Sequence, residues 1–169
     1  SNTDFNQYIQ NEQTLSFVIT ISDEVYIPGD VNEDMLINIL FWNLKPSEII
    51  IVNTYAKNII INNDIKKKLK KKNINLIIIN KKKLFPGAAR NIGILKAKYE
   101  YIAFLDINTL PYDKNWLEKN FNYLLKNNLD GLCGQTFYLA NNYKERIIRA
   151  STYGKAYLRT IPGSIFKKQ

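Results

Sequence analysis

The chain has 169 residues, 46% of them hydrophobic, which is enough for one domain with a substantial core. Its one cysteine, Cys133, excludes an intrachain disulfide, and the absence of histidine excludes every catalytic or metal site that depends on an imidazole. The net charge of +9 is concentrated in lysine runs at 66–68, 70–72 and 81–83, which leaves open a solvated surface, a nucleic-acid-binding patch and an anionic membrane face.

The first part of the chain alternates between strand and helix patterns. The β-branched run Ser16–Ile21 predicts a buried strand. Asp30, with Glu33 three residues later, has the form of a capping box that begins an amphipathic helix. Lys45-Pro46 would end that helix, because proline cannot continue it.

The same alternation continues to Tyr138. The further predicted strands are Glu48–Val52, Ile74–Ile79, Tyr101–Leu105 and Gly131–Tyr138. The further predicted helices are a lysine-rich one from Asn63 or Asp64 to Lys72, one from Pro86 to Ala97, and one capped by Asp113 that carries Trp116 and Leu117.

Apolar strands separated by helices are typical of a mostly parallel sheet covered on both faces. We therefore predict an α/β fold, a Rossmann-like three-layer α/β/α sandwich. Residues 1–14 are interpreted as a tag remnant with an N-terminal extension, and residues 15–169 as the domain. In such sheets ligands bind beyond the carboxyl ends of the strands, so the residues that follow each strand are the candidates for a site.

One segment combines several features of an anion-binding site. Gly87 keeps the start of a helix free of bulk, Arg90 offers a fork suited to a diphosphate, and Gly93 allows close approach to a strand. The next strand ends in Asp106-Ile107-Asn108. Because residues i and i+2 of a strand point the same way, Asp106 and Asn108 can converge on one ligand.

The segment from Leu84 to Trp116 resembles family 2 glycosyltransferases of the GT-A fold, in which Ala-Arg-Asn-x-Gly-x-x-x-Ala precedes a strand ending Phe-Leu-Asp-x-Asp. The broader resemblance extends from Leu15 to Lys168. It implies a GT-A type sandwich of which this chain is the donor-binding part, truncated before the acceptor part.

The resemblance implies a role for each matching residue. Arg90 would contact the nucleotide diphosphate or base, and Asp106 the ribose and metal-bound water. Asn53 stands where the family often has an aspartate that reads the uracil edge, and Ser22 or Asp23 lies where the base is flanked. Asp106 and Asn108 match the DxD motif that holds Mg²⁺ or Mn²⁺ against the diphosphate, so one of these ions is the expected cofactor.

Three departures from the family pattern keep an alternative open. Asn108 is neutral where a metal carboxylate is expected, Asn53-Thr54-Tyr55 replaces Asp-Asp-Gly-Ser, and Thr20-Ile21-Ser22 lacks the usual proline. A non-catalytic nucleotide-sugar-binding or scaffold domain of the same fold is therefore the alternative function. A sugar nucleotidyltransferase is disfavoured, because Ser22-Asp23-Glu24 replaces its glycine-rich loop.

The resemblance also implies the partners and the reaction. The expected donor is a nucleoside-diphosphate sugar, with a UDP-sugar as the first choice, and the sugar passes with inversion to a hydroxyl of a glycan or lipid-linked acceptor. The general base would lie beyond Gln169, so this part of the enzyme is expected to be inactive alone.

The setting implied is bacterial cell-surface polysaccharide or glycoconjugate synthesis. With no export signal and no membrane-spanning stretch, we expect a cytoplasmic protein, at the inner face of the membrane if it associates peripherally. Nucleic acid is not an expected partner, because no aromatic residues are interleaved with the lysine runs.

Overall fold

The computed structural model describes residues 15–21, 33–55, 57–107, 109, 111, 113–135, 142–144, 147 and 159–168. Strands and helices alternate through most of this range, as the hydrophobic pattern predicts. In chain order the elements are β1 (Leu15–Ile21), α1 (Asp34–Phe41), β2 (Glu48–Asn53), α2 (Asn63–Lys71), β3 (Asn75–Asn80), α3 (Pro86–Lys96), β4 (Tyr101–Asp106), α4 (Trp116–Lys126), β5 (Gly131–Gln135) and β6 (Arg159–Lys167).

The strands form one sheet in the order β3-β2-β1-β4-β6-β5. The strands β1 to β4 are mutually parallel, whereas β6 runs antiparallel to both β4 and β5. The prediction of a mostly parallel sheet is confirmed. The last strand, β6, was not predicted, because Pro162 and Gly163 interrupt its apolar pattern.

The two faces of the sheet are buried in separate cores, because successive side chains of a strand point to opposite faces. Phe17 and Ile19 of β1 pack in the larger core with side chains of α1, α2 and α4. Val18, between them, packs in the smaller core with Ala89 of α3. Three helices therefore cover one face and α3 covers the other, which makes the three-layer sandwich.

An aromatic cluster joins the first strand to the helices of the larger core. The ring of Trp42 lies 5.4 Å from that of Phe17 and 5.7 Å from that of Trp116, and the Phe17 and Trp116 rings are 6.3 Å apart. Tilted and edge-on pairs of this kind contribute about 0.5–1.5 kcal/mol each beyond their buried area. Trp116 is thus part of the core contacts that hold the start of α4 against β1.

Several predicted boundaries differ from the structure. The capping box is wrong, because α1 begins at Asp34 with Glu33 at the N-cap, and the Glu33 carboxylate instead accepts the Asn62 N–H at 2.7 Å. Asp30 lies outside the described residues. The helix α1 also ends at Phe41, before the predicted Lys45-Pro46 stop.

The lysine-rich helix is capped one residue earlier than predicted. The Asn62 side chain accepts the Asp64 N–H at 2.8 Å, which satisfies one of the N–H groups that the first turn leaves open. The predicted strand from Gly131 is described to Gln135, and its continuation to Tyr138 lies outside the described residues. Cys133 on this strand is exposed.

The amino-terminal end of the sheet fixes the turn between α3 and β4. The buried carboxylate of Glu48 accepts the Lys98 N–H at 3.1 and 3.3 Å, and the Ser16 hydroxyl accepts the Tyr99 N–H at 3.2 Å. Both acceptors lie at the start of strands, so this turn is held at the opposite end of the sheet from the candidate ligand edge. The geometry of α3 relative to β4 is therefore set by core strands.

Candidate functional site

Three of the predicted site residues lie on the described part of the carboxyl-terminal edge of the sheet or against it. Asp106 is the last residue of β4 and is the register partner of Thr20 on β1. Asn53 is the last residue of β2 and pairs in register with Ile21. Arg90 lies in the second turn of α3, which covers β1 and β2.

Asp106 is the centre of a cluster of side chains. Its Oδ1 accepts a hydrogen bond from the Thr20 hydroxyl at 2.7 Å and another from Arg90 Nη2 at 3.0 Å. The Arg90 side chain is 16% exposed and the Asp106 side chain 29% exposed, so the ion pair is partly shielded from water. Both described donors use the same oxygen, which leaves Oδ2 of Asp106 for a ligand.

Close packing of α3 on β1 brings Arg90 to Asp106. Gly93, three residues after Arg90, lies so close to β1 that a Cβ at this position would be 2.4 Å from Val18 Cγ1. Ala89 is fully buried beside it. Small residues on this face of the helix therefore set the distance that lets a guanidinium on the helix reach a carboxylate on the strand. The predicted role of Gly93 is confirmed, whereas a Cβ at Gly87 would meet nothing within 4 Å.

Asn53 is used mainly to hold the loop that follows β2. Its Nδ2 donates to the Lys57 carbonyl at 2.7 Å and to Asn80 Oδ1 at 2.9 Å, and its Oδ1 accepts the Tyr55 N–H at 3.0 Å. The side chain is 1% exposed, and both of its N–H groups are occupied. With β1 between β2 and β4, Asn53 and Asp106 are separated by two strand spacings, about 10 Å.

The remaining predicted site residues are Ser22, Asp23 and Asn108, and all three lie outside the described residues. Ser22 and Asp23 directly follow β1, and Asn108 lies two residues after Asp106. Their assignment to the base and to a metal ion stays a prediction.

Two residues of this edge were given no role from the sequence, although Asn80 was among the candidates because it follows a predicted strand. Thr20 holds Asp106, and Asn80 accepts hydrogen bonds from both Asn53 and the Ile59 N–H. Each had a recognisable signal, since Thr20 is a polar residue inside an apolar strand and Asn80 follows the apolar run of β3. Thr20 also stands in the segment that departs from the family pattern by lacking the usual proline.

Thr20→Val is expected to weaken nucleotide binding about 5- to 10-fold, because a hydrogen bond to a charged group is worth about 1.5–3 kcal/mol and part of this orients Asp106. Calorimetric titration with a nucleoside diphosphate measures the change. The matched control is Thr54→Val, which removes the buried hydrogen bond from Thr54 Oγ1 to the Ile21 carbonyl and leaves Asp106 untouched. Equal losses of affinity in the two variants would contradict a specific role for Thr20.

Asp113 was predicted to cap α4, but the N-cap of this helix is Asn115, two residues later. Its carboxylate accepts hydrogen bonds from the Lys119 ammonium at 2.8 Å and from the Asn115 N–H at 3.0 Å. The hydrogen bond from Lys119, followed by that from Asn115, holds the pKa of this carboxyl below its usual value. Asp113 therefore stays ionised at neutral pH and serves the start of α4, and a carboxylate with a lowered pKa is a poor general base.

The residues at this edge could hold a divalent cation only if a bound ligand supplied some of its oxygen ligands. Among the described residues, no group of three or more acidic or cysteine side chains converges as a metal site. Asp106 contributes one carboxylate oxygen, and Asn108 would add an amide oxygen. Mg²⁺ commonly takes one or two protein oxygens together with phosphate and water, so this donor set suits an ion bound with a diphosphate.

Comparison with protein families identifies this arrangement. The model of glycosyl transferase family 2 matches residues 34–165, which include α3, β4 and the Arg90–Asp106 pair. The chain belongs to glycosyl transferase family 2. The family assignment predicted from the segment around Arg90 and Asp106 is thereby confirmed.

A curated relative supports the same assignment. Over 85 residues the chain is 39% identical to an uncharacterised glycosyltransferase of Haemophilus influenzae, and the match covers 48% of this chain and 32% of the relative. The chain thus aligns with about a third of that relative.

The solved structures that resemble this family 2 domain are glycosyltransferases of the GT-A fold. The S. aureus TarS 1-349 complex with UDP-GlcNAc has a TM-score of 0.59 at 15% identity, over 92% of this chain and 45% of that one. The Pyrobaculum calidifontis mannosyltransferase PcManGT, in complex with GDP-Man and Mn²⁺, has a TM-score of 0.53 at 14% identity, over 72% of this chain and 35% of that one. At these identities the likeness establishes the fold, so the predicted GT-A type sandwich is confirmed.

Two further observations concern the surface of the domain. No helix in the described ranges is long and apolar enough to cross a bilayer. A groove of about 740 Å³ runs beside the edge strand β3 and is lined by Lys66, Lys70 and Leu76, away from Asp106. The candidate site is therefore not this groove but the carboxyl-terminal edge of the sheet.

Proposed function

We propose that this domain binds the nucleoside-diphosphate sugar of a family 2 glycosyltransferase at the carboxyl-terminal edge of β1, β2 and β4. The observation that carries the proposal is the Thr20–Asp106–Arg90 cluster, in which a carboxylate is held beside a guanidinium and its Oδ2 accepts no hydrogen bond from a described residue. Arg90 supplies a cation for the diphosphate, and Asp106 Oδ2 can accept a ribose hydroxyl or contact a metal ion. A UDP-sugar is the first choice of donor, since a UDP-GlcNAc complex is among the structures that share this fold.

Mg²⁺ or Mn²⁺ is the proposed cofactor, with Asp106 and Asn108 as its protein ligands. When bound, the ion would neutralise charge that develops on the diphosphate leaving group. The chain's own contribution is the partly buried guanidinium of Arg90, which is already oriented by an ion pair and needs no large rearrangement to act on the same charge.

The reaction we propose for the whole protein is displacement of the diphosphate by a hydroxyl of a glycan or lipid-linked acceptor, with inversion at the anomeric carbon. The general base would take the proton of that hydroxyl. We place the base and the acceptor site in the remaining length of the relatives, of which this chain spans less than half. Cell-surface polysaccharide or glycoconjugate synthesis at the cytoplasmic face of a bacterial membrane is the proposed setting.

Residues 15–169 are proposed as the donor-binding part of the GT-A domain, with residues 1–14 as an extension outside it. The second candidate function is a nucleotide-sugar-binding or scaffold domain without turnover. It is favoured by one specific observation. Where the family often has a base-reading aspartate, both N–H groups of the Asn53 amide donate to protein partners and its Oδ1 accepts the Tyr55 N–H.

The experiment that tests donor binding is a calorimetric titration with UDP, GDP and TDP, each with Mn²⁺ and with a chelator. We expect saturable binding of one nucleotide, strengthened by Mn²⁺. No binding of any of the three by a folded domain would leave only a likeness of fold and would refute the proposal.

Asn108→Asp tests the metal ligands in the same titration. Restoring a carboxylate is expected to strengthen nucleotide binding about 10-fold in Mn²⁺ and not in the chelator, because hard dications prefer charged oxygen ligands. The control is Asn115→Asp, which adds the same charge seven residues later, at the N-cap of α4. A gain of similar size in both variants, or one that persists in the chelator, would contradict a metal ligand at position 108.

A further inference from the structure

The loops after β2 and β3 are joined into one corner of the sheet. The Asn53 carbonyl accepts the Lys81 N–H at 2.8 Å, the Thr54 carbonyl accepts the Lys83 N–H at 3.3 Å, and Asn80 Oδ1 accepts the Ile59 N–H at 3.3 Å. Backbone segments 54–55, 57–60 and 81–85 are therefore held next to each other. This corner lies at the same carboxyl-terminal edge as the candidate donor site.

The corner exposes two large apolar side chains among lysines. Phe85 is 86% exposed and Ile60 is 85% exposed, although burial would be favourable for both. Four lysines on the same segments are also exposed. We call this set the basic-apolar rim, and its members are Lys57, Ile60, Lys81, Lys82, Lys83 and Phe85.

The charge of the rim has one sign. The sequence contains no aspartate or glutamate between residues 53 and 63 or between residues 74 and 99. By contrast, Lys119 and Lys167 each form an ion pair with an acidic residue, Asp113 and Glu100 respectively. The rim therefore presents a positive field around exposed apolar groups.

We propose that the basic-apolar rim docks this domain on the surface of an anionic lipid bilayer. Each lysine near such a surface is attracted by the anionic headgroups, and apolar side chains gain by insertion at the boundary with the acyl chains. A bilayer satisfies both features without a shaped pocket. The described groove beside β3 is lined by none of the rim residues, so it offers no site at the rim for the side chain of a protein partner.

Nucleic acid fits the rim less well than a bilayer does. Phosphates would account for the lysines, but single-stranded binding sites use several aromatic side chains on which successive bases stack, and Phe85 is the one aromatic member of the rim. Docking through the rim also has a geometric consequence that depends on the proposed function. It holds the donor edge of the sheet at the membrane surface, where a lipid-linked acceptor would be presented.

The test is co-sedimentation of the protein with vesicles of equimolar phosphatidylcholine and phosphatidylglycerol, and with vesicles of phosphatidylcholine alone. We expect binding only to the anionic vesicles, with loss at high salt because ionic attraction is screened. No nucleotide is needed, so this result is independent of donor binding. Absence of binding to the anionic vesicles at low salt would refute the proposal.

Two pairs of matched variants distinguish the contribution of the rim to vesicle binding from that of the net charge of the protein. Changing Lys81, Lys82 and Lys83 together to glutamine should weaken vesicle binding on the order of 10- to 100-fold. The same change at Lys70, Lys71 and Lys72, at the end of α2, should weaken it less than about 3-fold. Phe85→Ser should weaken it about 10-fold, whereas Leu95→Ser, which removes a side chain 83% exposed near the other end of α3, should leave it unchanged.

Circular dichroism melts confirm that all four variants fold. Equal losses from the two triple variants would show that binding follows total charge and would overturn docking at the rim. A Phe85→Ser variant that binds like the unmodified protein would overturn insertion. If the protein bound single-stranded RNA more tightly than anionic vesicles, and the rim variants lost this binding, the rim would be a nucleic-acid site and not a membrane site.

Discussion

Arg90→Ala is expected to weaken nucleoside-diphosphate binding on the order of 100-fold when Asp106 is present, but only on the order of 10-fold in an Asp106→Asn background. In the unmodified protein the guanidinium both attracts the diphosphate and neutralises the carboxylate 3.0 Å away. Without Arg90, the Asp106 charge repels the incoming diphosphate as well. That second penalty disappears when Asp106 is already neutral, so the two substitutions should be less than additive.

Calorimetry on the four proteins of this double-mutant cycle, in Mn²⁺ and with the nucleotide that binds, measures the coupling directly. Lys96→Ala is the matched control, since it removes a positive charge from the last turn of the same helix. Thermal melts of all variants separate lost binding from lost folding. If Arg90→Ala weakened nucleotide binding by the same factor in both backgrounds, the contribution of Arg90 to binding would be independent of Asp106. Unchanged binding in every variant would remove this cluster from the donor site.

Gly93→Ala is expected to lower the free energy of unfolding by about 1–3 kcal/mol, although alanine is the better helix former by about 1 kcal/mol. The new Cβ would lie 2.4 Å from Val18 Cγ1 and 3.1 Å from Cγ2, and Val18 is fully buried in the middle of β1. A β-branched side chain in a central strand has little freedom to turn away. The clash is therefore relieved by moving α3 away from the sheet, which also separates Arg90 from Asp106.

Thermal and denaturant unfolding measure the loss, which should lower Tm by about 2–10 °C for a chain of this size. Gly87→Ala is the control on the same helix, because nothing lies within 4 Å of the position that its Cβ would take, and the substitution should be neutral or slightly stabilising. Val18→Ala should recover part of the loss in the Gly93→Ala background by removing the clashing methyl groups. A stable Gly93→Ala variant, or no recovery by Val18→Ala, would contradict this account.

The sequence predicted the local elements of this protein well and their boundaries less well. The strands near Ser16, Glu48, Ile74 and Tyr101 and the helix at Pro86 were predicted within a residue or two, because long apolar runs and a proline at the first helical turn are strong local signals. The first helix was predicted to begin at a capping box that the structure does not form. Glu33 has a distant partner instead, the Asn62 N–H, which no local pattern indicates.

The candidate site was likewise predicted in part: the sequence selected residues but not the contacts between them. Arg90 and Asp106 were selected from the spacing of one motif and are in contact, but the sequence predicted that each would touch the nucleotide and did not predict the ion pair between them. Thr20 completes the cluster from 86 residues away along the chain. Asn53 was selected correctly as a strand-end residue, yet its amide is bound to Lys57 and Asn80 in a way that only the folded loop reveals.

The sequence by itself determined the α/β class, the parallel character of β1 to β4 and the motif that assigns the family. These follow from hydrophobic periodicity and motif spacing, which are local properties of the chain. The tertiary structure alone decided that β6 inserts antiparallel between β4 and β5, where Ser164 accepts the Gly134 N–H inside the sheet. It also decided that Thr20 and Arg90 donate to the same carboxylate oxygen of Asp106. Both outcomes depend on strand order and on the closeness of α3 to β1, and these are set by packing between residues far apart in sequence.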